Sequence, residues 1–409
     1  MFGLTQEGYS PAVLRLVIRQ GAKVAFAEAS DDLTTLADIA ISPMQVRRLC
    51  ERVGGEWADA RDQQVQAFHE RRLEATVAAA PAVAAVMLDG GRVQTRASEA
   101  GPGVSQPRWQ ETKVACCLSL QSPERAVDPQ PQPPAKLLEP VAVARLAAAL
   151  KARRSAGTPP APRRADRPRR RRRRRGRRRK GARKLVRTVV ASLTNSDAFG
   201  YQMAAEVQRR RLGEARRKGC VCDGQKWNWS LFAMHLLPWG FVGILDFIHL
   251  VSYLYAAAAA SAAALGQAAW ALYERWLCWA WAGQVRPLLA ALRQAAKRLG
   301  PPPKGAKEDD PRAVVAEAVS YVTNNQDKMN YPEYRRLGLP ISSAAVESVI
   351  KQLNRRVKGS EKFWTAEGVE AVLQLRAAYL SEDGRAEVYA ARRRPRGRGV
   401  GAHRLGQKG

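Results

Sequence analysis

Paired cysteines are missing from this chain, and acidic charge is in short supply. The six cysteines (Cys50, Cys116, Cys117, Cys220, Cys222 and Cys278) are scattered through apolar or basic surroundings and none forms a CxxC pair. That spacing excludes a zinc ribbon and a disulfide framework and suits reduced, intracellular thiols. Asp and Glu number 37 against 68 Lys and Arg, a formal net charge of +31. An excess of that size calls for a polyanionic partner, with nucleic acid the first candidate and an anionic membrane surface the second. The amino terminus, MFGLTQEGYSPAVL, lacks the charged-then-apolar layout of a signal peptide. A clean membrane-spanning run is lacking too. Leu231 to Leu272 is nearly uncharged and long enough to cross a bilayer, but Asp246, His235 and His249 interrupt it and Pro238 and Gly240 break it. An Asp at membrane depth costs about 2.5–3.5 kcal/mol or more. A buried strand followed by a core helix fits that stretch better, so no membrane partner is expected.

What is present is enough for two or three domains, since 409 residues can bury a real core. Residues 1–80 read as helical. Within them Ser30 to Gly54 gives a helix, a break at Ile41-Ser42-Pro43, and a second helix carrying Arg47, Arg48 and Arg52, with Pro43 at its first position. This is either a helix-turn-helix whose second helix enters a major groove or a plain helical hairpin. Three strand-like runs follow in residues 81–120: Ala84–Asp89, ending in an acid and two glycines, then Val93–Arg96, then Lys113–Leu120.

Residues 121–184 break the pattern. Pro, Ala and Gln dominate Ser122–Pro134, a helix is expected from Pro140 to Arg154, and sixteen Lys/Arg lie between Arg163 and Lys184, including the run Arg169–Arg175. Such a block repels itself and cannot pack, so it is expected to be a disordered arm that wraps phosphates with strong salt dependence. Residues 185–249 are expected to open with a helix from Lys184 to Gly213, broken near Asn195–Gly200. Two strands follow, Gly219–Asp223 and Phe241–Phe247. Residues 250–340 read as helical, with a loop at Gly300–Asp310, and 383–409 as a disordered basic tail.

In residues 341–382 the stretch Ile341–Trp364 draws the most chemistry together. Read as a helix, Ser342 and Ser343 offer N-cap oxygens, and Val346, Val349, Ile350 and Leu353 form an apolar stripe. Glu347 sits beside that stripe in the first turns, and Lys351, Arg355, Arg356 and Lys358 follow as a cationic arm. On its own this is either a metal-ligating acid with phosphate nearby or an ordinary amphipathic helix.

The segment resembles the catalytic-glutamate helix of DDE transposases, specifically the ISKra-type insertion-sequence transposases, relatives of the Mutator group. The likeness continues through FWTAEGVEAVLQLRAAYLS (Phe363–Ser381) and reappears upstream at MLDGGRVQTR, DGQKWNW and ILDFIH. The resemblance implies an α/β fold: an RNase H-like catalytic core, a mixed five-stranded sheet flanked by helices. To it are added an α-helical insertion and an amino-terminal all-α, helix-turn-helix-like domain that recognises terminal inverted repeats. It places the catalytic, metal-binding acids at Asp89 in LDGGRV, Asp223 in CDGQKWNW and Glu347 in AAVESVIKQ. Asp246 is the rival for the second position; Asp246-Phe-Ile-His249 matches a D-x-x-H signature that follows the second aspartate in Mutator-like and hAT-like relatives, which makes Asp246 and His249 structural or DNA-organising.

The function implied is a transposase that cuts phosphodiesters at the element's ends and joins the freed 3′-hydroxyl to target DNA. Two Mg2+ (or Mn2+) ions would serve it, on hard oxygen ligands. Arg47, Arg48, Arg52, Lys351, Arg355, Arg356 and Lys358 would contact DNA. The partners would be transposon ends and target DNA, with a homo-oligomer at synapsis, in a bacterial cytoplasm on the nucleoid. Trp227, Trp229 and the Trp cluster of the insertion are either core or a stacking platform for a flipped base. The family's usual start looks trimmed in this chain. A catalytically silent, transposase-derived DNA binder or repressor is the alternative.

Overall fold

The computed structural model describes residues 8–96, 108–155, 182–359 and 362–392; the run Arg169–Arg175 lies outside them. The chain divides into two compact units, one of Met1–Gln63, Val93–Gln110 and Lys351–Gly409, the other of Gln64–Arg92 and Glu111–Ile350.

The second unit is built on a five-stranded mixed sheet of order β3-β2-β1-β4-β5. Its strands are β1 (Val83–Thr95), β2 (Arg108–Gln121), β3 (Arg183–Ser192), β4 (Arg217–Cys222) and β5 (Val242–Leu245). β2 pairs antiparallel with β3, while β4 runs parallel to both β1 and β5. Val83 through Leu88 are buried without a break, which is what a central strand covered on both faces requires. On one face Ala84, Val86 and Leu88 meet Cys220 and Cys222 at strand periodicity. Phe199, Met203 and Val207 of α5 (Ser196–Arg209), spaced four apart, cover that layer. Asn195 caps α5 by accepting the Ala198 N–H at 2.9 Å.

The sheet has five strands, but not the five the sequence pattern suggests. Ala84–Asp89 and, of the expected Val93–Arg96, residues 93–95 belong to one strand that runs straight through Gly90 and Gly91. Arg183–Ser192, expected as helix, is instead the edge strand β3, held by its register against β2 from Lys113↔Ser192 to Gln121↔Arg183. Its β-branched Val186, Thr188, Val189 and Val190 suit that setting.

Residues 121–155 are also more ordered than expected. Arg335 holds Asp128 at 2.9 Å, Trp281 donates to the Gln130 carbonyl at 2.8 Å, and Tyr273 donates to the Leu137 carbonyl at 3.0 Å. Leu137, Val143 and Leu150 are buried, the last two on α4 (Pro140–Ser155), which forms where a helix is expected. The helical insertion comprises α7 (Phe247–Leu265), α8 (Ala269–Trp281), α9 (Val285–Leu299), α10 (Pro311–Asn325) and α11 (Tyr331–Arg336). Among the described residues α7 is the one helix long and apolar enough to cross a membrane. It buries Leu250, Val251, Leu254, Ala257 and Ala258 and starts at the buried Asp246, as a packed helix does.

In the first unit α1 (Pro11–Lys23), α2 (Phe26–Ala37) and α3 (Pro43–His69) appear, with the break at Ile41-Ser42-Pro43 and Pro43 opening α3. Their core includes Leu375 of α13 (Ala366–Leu380). Gly54 backs onto Ala371 so closely that a Cβ would fall 2.3 Å from its carbonyl oxygen. Part of the expected disordered tail is helix: α14 (Arg385–Arg392) places Tyr389 against Trp57, ring centroids 4.8 Å apart. The residues beyond 392 lie outside the described ones.

Candidate functional site

The two aspartates stand just beyond the paired, continuously buried stretch of adjacent central strands. The paired register of β1 and β4 ends at Met87↔Val221, and Asp89 and Asp223 each lie two residues further on. Strands in one sheet are about 4.8 Å apart, so the pair is side by side, Asp89 within β1 and Asp223 just past the end of β4. Both residues follow buried runs and are themselves only half-buried.

The Asp223 turn is held from three sides. Its Oδ1 accepts the Asn228 amide at 2.8 Å and the Gln225 N–H at 3.1 Å, and its carbonyl accepts the Tyr321 hydroxyl at 2.7 Å. Gly224 takes φ +96°, and a Cβ there would stand 2.7 Å from the Tyr321 ring, so both space and conformation call for glycine. Asp89 Oδ1 accepts the Gly90 N–H at 2.7 Å.

Glu347 arrives on α12 (Ala344–Val357), in its first turn, with Val346, Val349 and Leu353 of the expected stripe buried and Ile350 half-buried. The head of α12 is tied down by Asp246, which is 0% exposed. Oδ1 of Asp246 accepts the N–H groups of Ile248 at 2.6 Å and His249 at 3.4 Å, capping α7. Oδ2 accepts both the Ser343 N–H, at 2.9 Å, and the Ser343 hydroxyl. His249 Nδ1 stands 3.3 Å from the same oxygen.

The electrostatics follow from this crowding. Burial, and then the neighbouring Asp223 charge, push the Asp89 carboxyl up to about 7. Burial works against charge on Asp246, yet the adjacent His249 imidazole and the Ser343 hydrogen bonds hold it below the usual carboxylate range. His249 is likewise opposed by burial, and its close contact with Asp246, with the charges of Asp223 and Asp89, raises it above an ordinary imidazole.

One atom each of Asp246, His249 and Glu347 lies within 4.8 Å of the other two, the one such group of possible metal ligands among the described residues. Asp89, Asp223 and Glu347 do not converge that tightly, although Asp89 feels the charge of both others. The donor set nonetheless fits a divalent cation. Asp89 and Asp223 each keep Oδ2 without a hydrogen bond among the described residues, and an acid whose ionisation is opposed by burial and by a like-charged neighbour is relieved by a cation between the two. Asp246 fits less well, because protein donors already occupy both its oxygens.

The seven basic positions expected on DNA all belong to the first unit. Arg48, Arg52, Lys351 and Arg355 are exposed, Lys358 is half-buried, and Arg47 bonds Glu51 at 2.7 Å. Arg356 must be corrected. It is 1% exposed, donates to the Gly21 carbonyl at 2.8 Å and lies 4.4 Å from the Phe26 ring centroid and 5.0 Å from that of Trp364. Burial lowers its pKa to about 10. It is a core cation of the unit, not a phosphate contact.

Of the tryptophans, Trp276 is fully buried and Trp281 nearly so, while Trp227 and Trp229 pack partly buried against the sheet core. Sequence reasoning passed over two residues at the site, Asn228 and Tyr321, and gave Ser343 no part in holding Asp246. Ser343 stands out in the sequence only as a possible cap, and nothing local to Tyr321 marks it as a neighbour of Asp223. Among known proteins, no protein-family model matches the chain and no curated protein matches it significantly.

Proposed function

We propose that this chain is a DNA transposase of the DDE type. On this reading it is a metal-dependent polynucleotidyl transferase that binds the terminal inverted repeats of an insertion sequence, cleaves there, and transfers the freed strand to target DNA. The observation that carries the reading is the placement of Asp89 and Asp223 at one register on adjacent parallel central strands, with Glu347 supplied by a helix anchored beside them. That is the layout expected of an RNase H-like core. Asp89, Asp223 and Glu347 would hold the cations. When bound there, Mg2+ or Mn2+ would supply Lewis-acid activation of the attacking oxygen and charge stabilisation of the leaving one. The chain's residues supply the rest. Asn228 and Tyr321 fix the Asp223 turn, and the exposed Arg48, Arg52, Lys351 and Arg355 would take phosphates. The net charge of +31 supports a DNA partner and a site of action on the nucleoid in the cytoplasm. Synapsis of two ends calls for a homo-oligomer.

A second ligand set, Asp246 with His249 and Glu347, is favoured by its tighter convergence and disfavoured by the saturated Asp246 carboxylate. The deciding experiment is cleavage of labelled DNA carrying the element's own terminal repeats with Mg2+ or Mn2+, wild type beside Asp89→Asn, Asp223→Asn, Asp246→Asn and Glu347→Gln. Cutting by wild type that vanishes in Asp89→Asn, Asp223→Asn and Glu347→Gln supports the reading. Cutting that survives Asp223→Asn and is lost in Asp246→Asn moves the second ligand. End binding without cutting under either metal replaces the enzyme with a silent, transposase-derived DNA binder.

A further inference from the structure

We propose that Asp246 and Ser343 are a positioning pair that sets the spacing between the Asp223 strand end and the Glu347 helix; this rests on the metal-centre reading above. Asp246 touches both acid-bearing segments at once. Its backbone N–H donates to the Cys222 carbonyl at 2.8 Å, one residue before Asp223. The next N–H, of Phe247, donates to the Ile341 carbonyl at 2.9 Å, on the approach to α12. Its carboxylate then grips Ser343, whose own carbonyl accepts the Glu347 N–H at 3.1 Å and whose hydroxyl lies 3.4 Å from Glu347 Oε1. A short path of bonded groups thus joins the main chain at Cys222 to the side chain of Glu347.

The carboxylate itself is spent on this task. A carboxylate offers about four lone-pair sites, and Ile248, His249 and the two donors of Ser343 fill them. A fully buried charge is costly unless it is bonded in this way. Capping α7 needs only Oδ1, so the use of Oδ2 on Ser343 is what ties α12 to the junction. Groups that hold a metal ligand from behind typically change metal affinity about 10–100-fold when removed.

Ser343→Ala is the informative variant, because it deletes the hydroxyl and keeps the backbone N–H to Asp246, whereas Asp246→Asn risks misfolding. Mn2+ binding to the full-length protein would be followed by electron paramagnetic resonance, with Glu347→Gln marking binding at the site, alongside thermal melting and cleavage kinetics. The expected result is Mn2+ affinity weakened by about tenfold or more with kcat reduced, KM for DNA unchanged, a melting profile close to wild type, and recovery in Ser343→Thr. Mn2+ affinity equal to wild type in Ser343→Ala overturns the pair, as does Mn2+ binding that Asp246→Asn abolishes while Ser343→Ala leaves intact, which would make Asp246 a ligand. Absence of Glu347-dependent Mn2+ binding in the wild type defeats the metal centre itself, and this proposal with it.

Discussion

Asp89 and Asp223 stand at one register, each two residues beyond the last paired positions of neighbouring parallel strands. They are close enough for each to sense the other's charge, so whichever carboxylate ionises first opposes the other. The burden falls on Asp89, whose carboxyl is pushed up to about 7 by burial and then by Asp223.

A pH dependence follows with a definite sign. The folded pKa of Asp89 is above the unfolded value of 3.8, so between about 4 and 7 the native metal-free protein holds a proton that the unfolded chain has released. Its stability should therefore fall as pH rises through that window, and Asp89→Asn should flatten the fall. A cation between the acids needs Asp89 ionised, so Mn2+ should bind more tightly at pH 8 than at pH 6. Calorimetry in two buffers of different ionisation enthalpy should register proton release at pH 6 and little at pH 8.

The two arginines at 355 and 356 should behave in opposite ways. Arg356→Ala removes a buried hydrogen bond to Gly21 and the packing on two aromatic rings, and should cost about 2 kcal/mol or more in urea unfolding. Arg355→Ala and Arg48→Ala, both at exposed positions, should leave unfolding unchanged. Each should instead lower the salt slope of DNA binding by about 0.9 for every phosphate it no longer neutralises. Salt-dependent binding isotherms beside urea curves separate the two effects.

Gly224→Ala should be destabilising beyond its size. At φ +96° an alanine is strained, a cost of about 1–3 kcal/mol, and its Cβ meets the Tyr321 ring. The melting temperature should drop, and metal-dependent cleavage should fall further than Tyr321→Phe alone makes it fall, since that variant loses only the bond to the Asp223 carbonyl. Unchanged cleavage in both would show that this turn does not hold Asp223 in place.

Thiol reactivity offers an inexpensive check on the core. Five of the six cysteines are buried and Cys278 alone is exposed, with its pKa raised by partial burial and then Glu274. A thiol reagent on native protein at pH 9 should modify one cysteine quickly and the other five only on denaturation. Rapid modification of Cys220 or Cys222 would mean that β4 is not a central strand.

Much of the helical architecture was legible in the residues. Pro43 opens α3, Ser342 accepts the Ala344 N–H at 3.3 Å at the head of α12, and Val346, Val349 and Leu353 are buried on that helix. The misreadings have physical causes. Leu185, Val186, Val189 and Val190 recur at spacings a helix also produces, and only the pairing of Arg183–Ser192 with β2 makes that stretch a strand. Gly90 and Gly91 look like a turn, yet they lie within β1, where a Cβ on Gly90 would sit 3.3 Å from the Thr112 carbonyl oxygen. Arg355 and Arg356 look like one basic arm, but consecutive helical residues point about 100° apart, so one faces solvent and the other the core.

The sequence by itself determined where the continuous apolar runs end, because an unpaired acid is costly to bury in a dry core. It therefore located Asp89 and Asp223 and set Glu347 beside its apolar stripe. Only the tertiary structure decided which acids face each other and which are consumed as structure. Strand order and register are long-range facts: they bring Asp89 level with Asp223 across more than a hundred residues of chain, and they saturate the Asp246 carboxylate with donors from α7 and from Ser343. No spacing along the chain encodes that saturation, because its partners meet only once the sheet and its helices have packed.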